Sequence, residues 1–214
     1  MIKVLLVDDH ELIRVGMRKV IEAEEGVVIA GEANDGEQAL ELAKAERPDI
    51  VLLDINMPGM NGVEATRRLS RLPNAPKIII VSVHAQDPIP TRLLEAGASG
   101  YLTKEAAAQE LPTALKAVAK GKRYLSADVA REIALAQAGG ESPLASLSER
   151  EMEVLLLVAD GKGIPDIADR LNVSPKTVST YRYRLFEKLD VENDVELARY
   201  ALRHGLVEDM PSDG

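Results

Sequence analysis

Three aspartates stand where apolar runs end. Val4-Leu5-Leu6-Val7 stops at Asp8-Asp9, and Ile50-Val51-Leu52-Leu53 stops at Asp54. A strand buried on both faces has no use for a carboxylate. An acid at its carboxyl end lies where an open parallel sheet presents its chemistry, so Asp54 reads as an acid that faces solvent there. Met57-Pro58-Gly59 then forces a turn. Two further runs deliver complementary groups: Ile78-Ile79-Ile80-Val81 ends in Ser82, and Tyr101-Leu102 leads to Thr103 and Lys104. Three carboxylates in one crevice repel one another and call for a cation. An all-oxygen site with few protein ligands and room for water and phosphate suits Mg2+, and the backbone carbonyl of Asn56 can complete the shell. With a metal and Lys104 on opposite sides of the phosphoryl oxygens, Asp54 can take up a phosphoryl group as an acyl phosphate. Singly, each residue has an ordinary explanation: a helix cap for Asp54, a solvated turn for Asp8-Asp9, a surface lysine for Lys104. Their meeting at three strand ends favours the site.

The elements that must position these groups alternate. Five apolar strands, each a continuous run, are each followed by a helical pattern within the first 120 or so residues. Leu12, Val15, Val20 and Ile21 mark the first helix, with Arg14, Arg18 and Lys19 on its other faces. Ala39, Leu40 and Ala43 mark the second, and a third starts from about Asn61. Leu93 and Leu94 mark the fourth, and Leu111, Leu115, Val118 and Ala119 the fifth. Continuous runs rather than alternating ones predict a parallel sheet covered on both faces. The expected fold is α/β, a flavodoxin-like, doubly wound five-stranded parallel sheet with strand order 2-1-3-4-5. That order gathers Asp8, Asp9, Asp54, Ser82 and Lys104 around one crevice. His10 beside the acids reads as a loop histidine, and His84 and His204 as surface residues.

Composition narrows the partners. The 214 residues carry a net charge of -9, so any nucleic-acid site must be a local basic patch. With no cysteine and three scattered histidines, disulfides, thiol catalysis and a zinc centre are set aside. Met1-Ile2-Lys3 enters an apolar run of four residues, too short for a signal peptide. No run approaches a membrane span, so the expected location is the cytoplasm, with no membrane partner.

Ala127 to Ala138 is Ala-rich and helix-prone, and Gly139-Gly140-Glu141-Ser142-Pro143 is a flexible break. The expected organisation is a first domain over 1–122, a helical and flexible linker over 123–145, and an all-α second domain over 146–209. Ser148 and Glu151 form a capping box that opens an amphipathic helix through Val154, Leu155 and Val158. Gly161-Lys162-Gly163 ends that helix. A short helix from Ile164 to Leu171, a tight turn at Asn172-Val173 and a third helix capped by Ser174-Pro175 make a helix-turn-helix. A closing helix from about Asp194 to Arg203 turns Leu197, Ala201 and Leu202 inward. Over Ser174 to Lys188, Lys176, Arg182, Arg184 and Lys188 face only Glu187, a local excess of positive charge in an otherwise acidic domain. Such a helix can hold phosphates with its cations while polar side chains read base edges.

Residues 1 to about 120 resemble the receiver domains of two-component response regulators. The likeness rests on Asp8-Asp9, Asp54 with Met57-Pro58-Gly59 and Gly62, Ser82, Tyr101 and Lys104. It implies that Asp54 is the phosphoacceptor, Asp8 and Asp9 metal ligands, and Lys104 a phosphate contact. Ser82 and Tyr101 would be the hydroxyl and aromatic pair that report phosphorylation. Many receivers follow this lysine with a cis-proline, whereas Glu105 stands here. Residues Leu147 to Leu189 resemble the LuxR-type helix-turn-helix of the NarL/FixJ family. The carrying residues are Leu147-Ser148-Glu149-Arg150-Glu151, Gly161, Ile167-Ala168, Leu171, Ser174, Thr177-Val178 and Lys188-Leu189. Ser174 to Val178 with Thr180 to Arg184 is similar to the GacA/UvrY branch, although Tyr181 replaces a common histidine and Pro165 a polar residue.

The expected function is a phosphorylation-switched, DNA-binding transcription regulator and not an enzyme. A sensor histidine kinase, of the hybrid type by the resemblance, would phosphorylate Asp54, and the chain would bind double-stranded DNA as a homodimer. Ser179, Thr180 and Tyr183 are the candidate base contacts, with Thr177 on the same face and Lys176, Arg182 and Arg184 on phosphates. The alternative is a phosphorylation-switched protein-interaction module with little DNA affinity. An aspartyl phosphatase is disfavoured because Asp54-Ile55-Asn56-Met57 lacks the second acid.

Overall fold

The apolar runs form a single parallel sheet. The structure, a computed structural model, describes residues 1–57, 60, 62–139, 143–204 and 206–207. It divides into two compact units, Met1–Ala134 and Leu135–Gly214. In the first, β1 (Ile2–Val7), β2 (Val27–Ala33), β3 (Ile50–Leu53), β4 (Lys77–Ser82) and β5 (Gly100–Thr103) alternate with α1 (Glu11–Glu22), α2 (Gly36–Glu46), α3 (Gly62–Ser70), α4 (Ile89–Ala96) and α5 (Lys104–Ala119). The strand order is β2-β1-β3-β4-β5-β6, all parallel. The expected order 2-1-3-4-5 holds, but a sixth strand corrects the count of five. This β6 (Tyr124–Leu125) pairs Gly100 with Tyr124 and Tyr101 with Leu125. Two residues carry no period that a sequence could display. Ser126 N–H donates to the Tyr101 carbonyl at 3.0 Å and closes the pairing.

Alternation across the strands buries both faces. Val4, Leu6, Ile50, Leu52, Ile79 and Val81 meet Met17 and Ile21 of α1 and Leu111, Leu115 and Val118 of α5. Leu5, Val51, Leu53, Ile78 and Ile80 point the other way and are equally buried. Register then aligns the strand ends: Val7 lies opposite Leu53, and Ser82 opposite Thr103. Asp54 N–H donates to the Val7 carbonyl at 2.8 Å, which continues the sheet one residue into the site. A Cβ at Gly62 would lie 2.5 Å from Ile55 Cβ, so glycine lets α3 start against the loop after Asp54. Pro58, Gly59 and Asn61, where a turn and a helix start were expected, lie outside the described residues.

The helix α6 (Ala127–Gly139) crosses the division between the units. Residues 140–142 of the expected break lie outside the described ones. In the second unit a 3-10 turn (Pro143–Ser146) precedes α7 (Glu149–Ala159), α8 (Ile164–Leu171), α9 (Pro175–Leu189) and α10 (Asp194–Arg203). Both halves of the Ser148–Glu151 capping box are formed. Gly163 stands at the start of α8 with no side-chain cap and Pro165 in the first turn, and Asn172 ends that helix in the left-handed region at φ 53°. Ser174 Oγ accepts from Thr177 N–H at 3.1 Å and starts α9. Val154, Leu155, Ile167, Ala168, Val178, Leu185, Leu189, Leu197 and Ala201 are buried as the core. Leu202 is not: it is 37 % exposed, and Tyr200 takes the inward place, one step from Ala201 on a face that begins at Leu197. Among the described residues no helix is long and apolar enough to cross a membrane.

Candidate functional site

Asp8, Asp9, His10 and Asp54 each offer a ligand atom, all within 4.8 Å of one another. The expectation that Asp54 faces solvent is corrected, since Asp54 is 1 % and Asp8 0 % exposed. The cover is Lys104, whose Nζ lies 2.8 Å from Asp54 Oδ2 and 2.8 Å from Asp8 Oδ2. The end of β5 brings that lysine over the acids from a position fifty residues away in sequence. Ile55 and Asn56 N–H groups donate to Asp54 Oδ1 at 2.6 and 3.2 Å, fixing the carboxylate and leaving Oδ2 to the cation. Burial pushes the Asp54 carboxyl up, with Asp8 adding to the rise and Lys104 opposing it. Lys104 is held above the usual lysine range: burial works against its charge, but Asp54 and Asp8 outweigh it.

The donor set fits a hard cation. The oxygens are carboxylates on a fixed frame, and among the described residues buried Asp8 Oδ2 and Asp9 Oδ1 have no hydrogen-bond partner, with Lys104 Nζ 2.8 Å from the first and His10 Nδ1 2.8 Å from the second. His10 is exposed, with Nδ1 2.8 Å from Asp9 Oδ1. Asn56 belongs to the same loop, and its Nδ2 lies 3.1 Å from His84 Nε2.

His84 corrects a second expectation, because it is buried rather than at the surface. Its N–H donates to Ser82 Oγ at 3.1 Å, and its carbonyl accepts the Tyr101 hydroxyl. Ser82, His84 and Tyr101 therefore form one buried chain beside Asp54. Burial raises the Tyr101 phenol, Ser82 opposes the rise, and the Asp54 charge adds to it. A lone histidine two residues beyond a strand end gives no sign of this in sequence. His204 is at the surface, as expected, stacked on Tyr200 with ring centroids 4.2 Å apart. The Lys104–Glu105 bond is trans, the one cis peptide among the described residues being Asp87-Pro88. Without a proline, Thr103 caps α5 at once by accepting from Ala106 N–H, and Lys104 opens the helix.

The outer face of α9 holds the second group of candidates. Lys176, Thr180, Tyr183 and Arg184 are exposed, and Ser179 and Thr177 are half-buried. Ser179 and Thr180 hydroxyls donate back to the Pro175 and Lys176 carbonyls, so outward they offer lone pairs. Arg182 is in a two-pronged pair with Asp194 of α10. Lys188 reaches Glu151 Oε2 at 2.7 Å and the Ser146 carbonyl at 3.0 Å. Two of the four cations on this helix are thus engaged by the unit itself. Sequence distance concealed both pairs.

Residues 4–116 match the response regulator receiver domain family, and residues 145–201 match bacterial regulatory proteins of the luxR family. The chain is 47% identical to the response regulator UvrY of Escherichia coli strain K12 over 96% of each chain. It is 47% identical to the response regulator GacA of Pseudomonas aeruginosa, covering 97% of this chain and 99% of that one. A solved structure of RcsB from Salmonella typhimurium is similar with TM-score 0.77 and 30% identity, over 93% of this chain and 96% of that one. RcsB bound to the P1flhDC promoter with phosphomimetic BeF3- is similar with TM-score 0.75 and 31% identity, over 94% of this chain and 98% of that one. The chain therefore belongs to the two-component response regulators that join a receiver domain to a LuxR-type DNA-binding domain, as the UvrY and GacA proteins do.

Proposed function

We propose that this regulator is switched by transfer of a phosphoryl group from a sensor histidine kinase to Asp54. The observation that carries the reading is the lysine shared by two buried carboxylates, with one oxygen of Asp54 fixed by backbone amides. Asp8, Asp9 and the Asn56 carbonyl would hold Mg2+ beside Asp54, and the bound ion supplies positive charge to the phosphoryl oxygens. Asp54 Oδ2 attacks phosphorus as the bond to the kinase histidine breaks. Lys104 follows the charge from Asp8 to the new phosphoryl oxygens. Ser82 turns its hydroxyl to the same group, and the inward Tyr101, seated on the His84 carbonyl, is the arrangement this stabilises. Phosphorylation then shifts a population toward a conformation the fold already accommodates.

The organisation read as 1–122, 123–145 and 146–209 assigns reception and output to separate parts of one cytoplasmic chain. Dimers would place paired α9 helices in major grooves about one helical turn apart. RcsB dimers bound to DNA, a relative's arrangement, support that reading. Ser179, Thr180, Tyr183 and Thr177 are the proposed base-facing residues. Lys176 and Arg184 meet phosphates, joined by Arg182 through the part of its guanidinium not turned to Asp194. Similarity to the GacA and UvrY regulators supports a hybrid kinase as partner and small regulatory RNA genes as targets.

Selection of duplexes from a random pool tests the whole. Wild type and Asp54→Asn are compared with Mg2+, each with and without a phosphodonor. A two-half-site sequence enriched only with Asp54 and donor together is the expected result. Enrichment regardless of Asp54 would remove phosphorylation control, and no enrichment would favour a protein partner for the second domain.

A further inference from the structure

Asp8 is tied at both ends of its backbone. Its N–H donates to the Ala33 carbonyl of β2 at 3.2 Å, and its carbonyl accepts Arg14 Nη1 at 2.6 Å. Arg14 in turn directs Nε toward Glu32 Oε2 at 3.4 Å, and Glu32 is the neighbour of Ala33. Arg18 Nε holds the other oxygen of Glu32 at 2.7 Å. Asp8, Ala33, Glu32 and Arg14 thus close a ring that joins β1, β2 and α1. The Arg14 side chain is 17% exposed and Glu32 26%, so the ring is partly shielded from water. It fixes the peptide between Asp8 and Asp9, the two acids that open the cation site.

We infer that Arg14 is a positioning residue for that cation site: it holds the Asp8-Asp9 peptide so that both carboxylates point at one ion. The inference rests on the proposed Mg2+ site. Partners that orient metal ligands without touching the metal commonly change affinity by about 10 to 100-fold when removed. Two effects of Arg14 on a cation oppose one another, and their signs differ. Its charge repels Mg2+, so removing that charge alone tightens binding. Its hold on the Asp8 carbonyl orders the ligands, so removing that hold weakens binding. Glu32, paired with Arg14, offsets part of the charge effect, and the positioning effect dominates.

The test is Mg2+ titration by calorimetry on the full chain, wild type against Arg14→Ala and Arg14→Lys. The lysine variant keeps the charge and cannot span both Asp8 and Glu32. Expected are Mg2+ dissociation constants raised about tenfold in Arg14→Lys, which loses only the hold, and severalfold in Arg14→Ala, where loss of the repelling charge offsets part of that loss. Phosphodonor-driven labelling of Asp54 would fall at low Mg2+ and return to the wild-type maximum at saturating Mg2+, which a general loss of structure would not allow. Unchanged or tighter Mg2+ binding in both variants, or a labelling deficit that Mg2+ does not restore, overturns the inference. Should Arg14→Ala fail to fold, Arg14→Lys decides by the same criteria. If wild type binds no Mg2+, the reading of the acidic site falls and takes this inference with it.

Discussion

The two units use the same ion-pair chemistry in opposite settings. In the first, two carboxylates are almost wholly buried and share one lysine, so any added charge would change the balance of a closed site. In the second, the cations of α9 lie on an open face, and two of the four are already engaged by Asp194 and Glu151. Buried charges without a partner cost several kcal/mol, whereas exposed pairs contribute at most about 1 kcal/mol. A charge count therefore describes neither unit. What matters is which charges the fold has left to meet a ligand.

The largest effect should come from the closed site. Asp54→Asn is expected to abolish donor-dependent enhancement of DNA binding altogether, read by titration of labelled duplex. The same substitution should stabilise the first unit at neutral pH. Because the folded-state pKa of Asp54 is raised, the carboxylate opposes folding above that pKa, and the penalty fades as pH falls toward the unfolded value of 3.8. A denaturation series showing no such fading would break the contrast between the units.

Glu151 has the opposite sign. Burial raises its carboxyl, but the Lys188 bond and the Ser148 backbone and hydroxyl outweigh that and hold it below the usual glutamate range. Its contribution is present above the unfolded value of 4.5 and is lost as pH falls through the lower folded value. Glu151→Gln should destabilise the second unit by about 2 kcal/mol at neutral pH, the scale of a lost charged hydrogen bond. Urea midpoints for variant and wild type should converge under acid.

Smaller effects separate spent cations from available ones. Lys176→Ala and Arg184→Ala should each lower DNA affinity by roughly 1 kcal/mol. Each should also reduce the slope of log affinity against log salt by about 1. Asp194→Asn should change stability by less than about 0.5 kcal/mol, because that pair is partly exposed. It should tighten DNA binding modestly by releasing Arg182 and removing an acid. Loss of affinity in Asp194→Asn would show that Arg182 must be held by Asp194 to function.

How far a residue could be read from sequence followed how local its determinant was. Ser148, Ser174 and Thr103 act within one helical turn, so the first two were visible as caps, and Asp8, Asp54 and Lys104 were visible because each ends an apolar run. The burial of Asp54 was not, since it depends on a lysine delivered by another strand. The partners of Arg182, twelve residues away, and of Lys188, thirty-seven away, required the folded packing of α7, α9 and α10. The burial of His84 likewise depends on Asn56 and Tyr101, brought to it by β3 and β5.

The brevity of β6 also bears on how fragments of this chain would behave. A piece ending at 122 lacks Tyr124 and Leu125 and leaves Gly100 and Tyr101 with unpaired backbone groups along an apolar border, a template on which another copy could add a strand. A piece ending at 134 keeps that border covered by two residues, too few to recruit a further strand. A receiver fragment that includes the segment after α5 is therefore expected to self-associate less than one ending at 122, as sedimentation of the two would read.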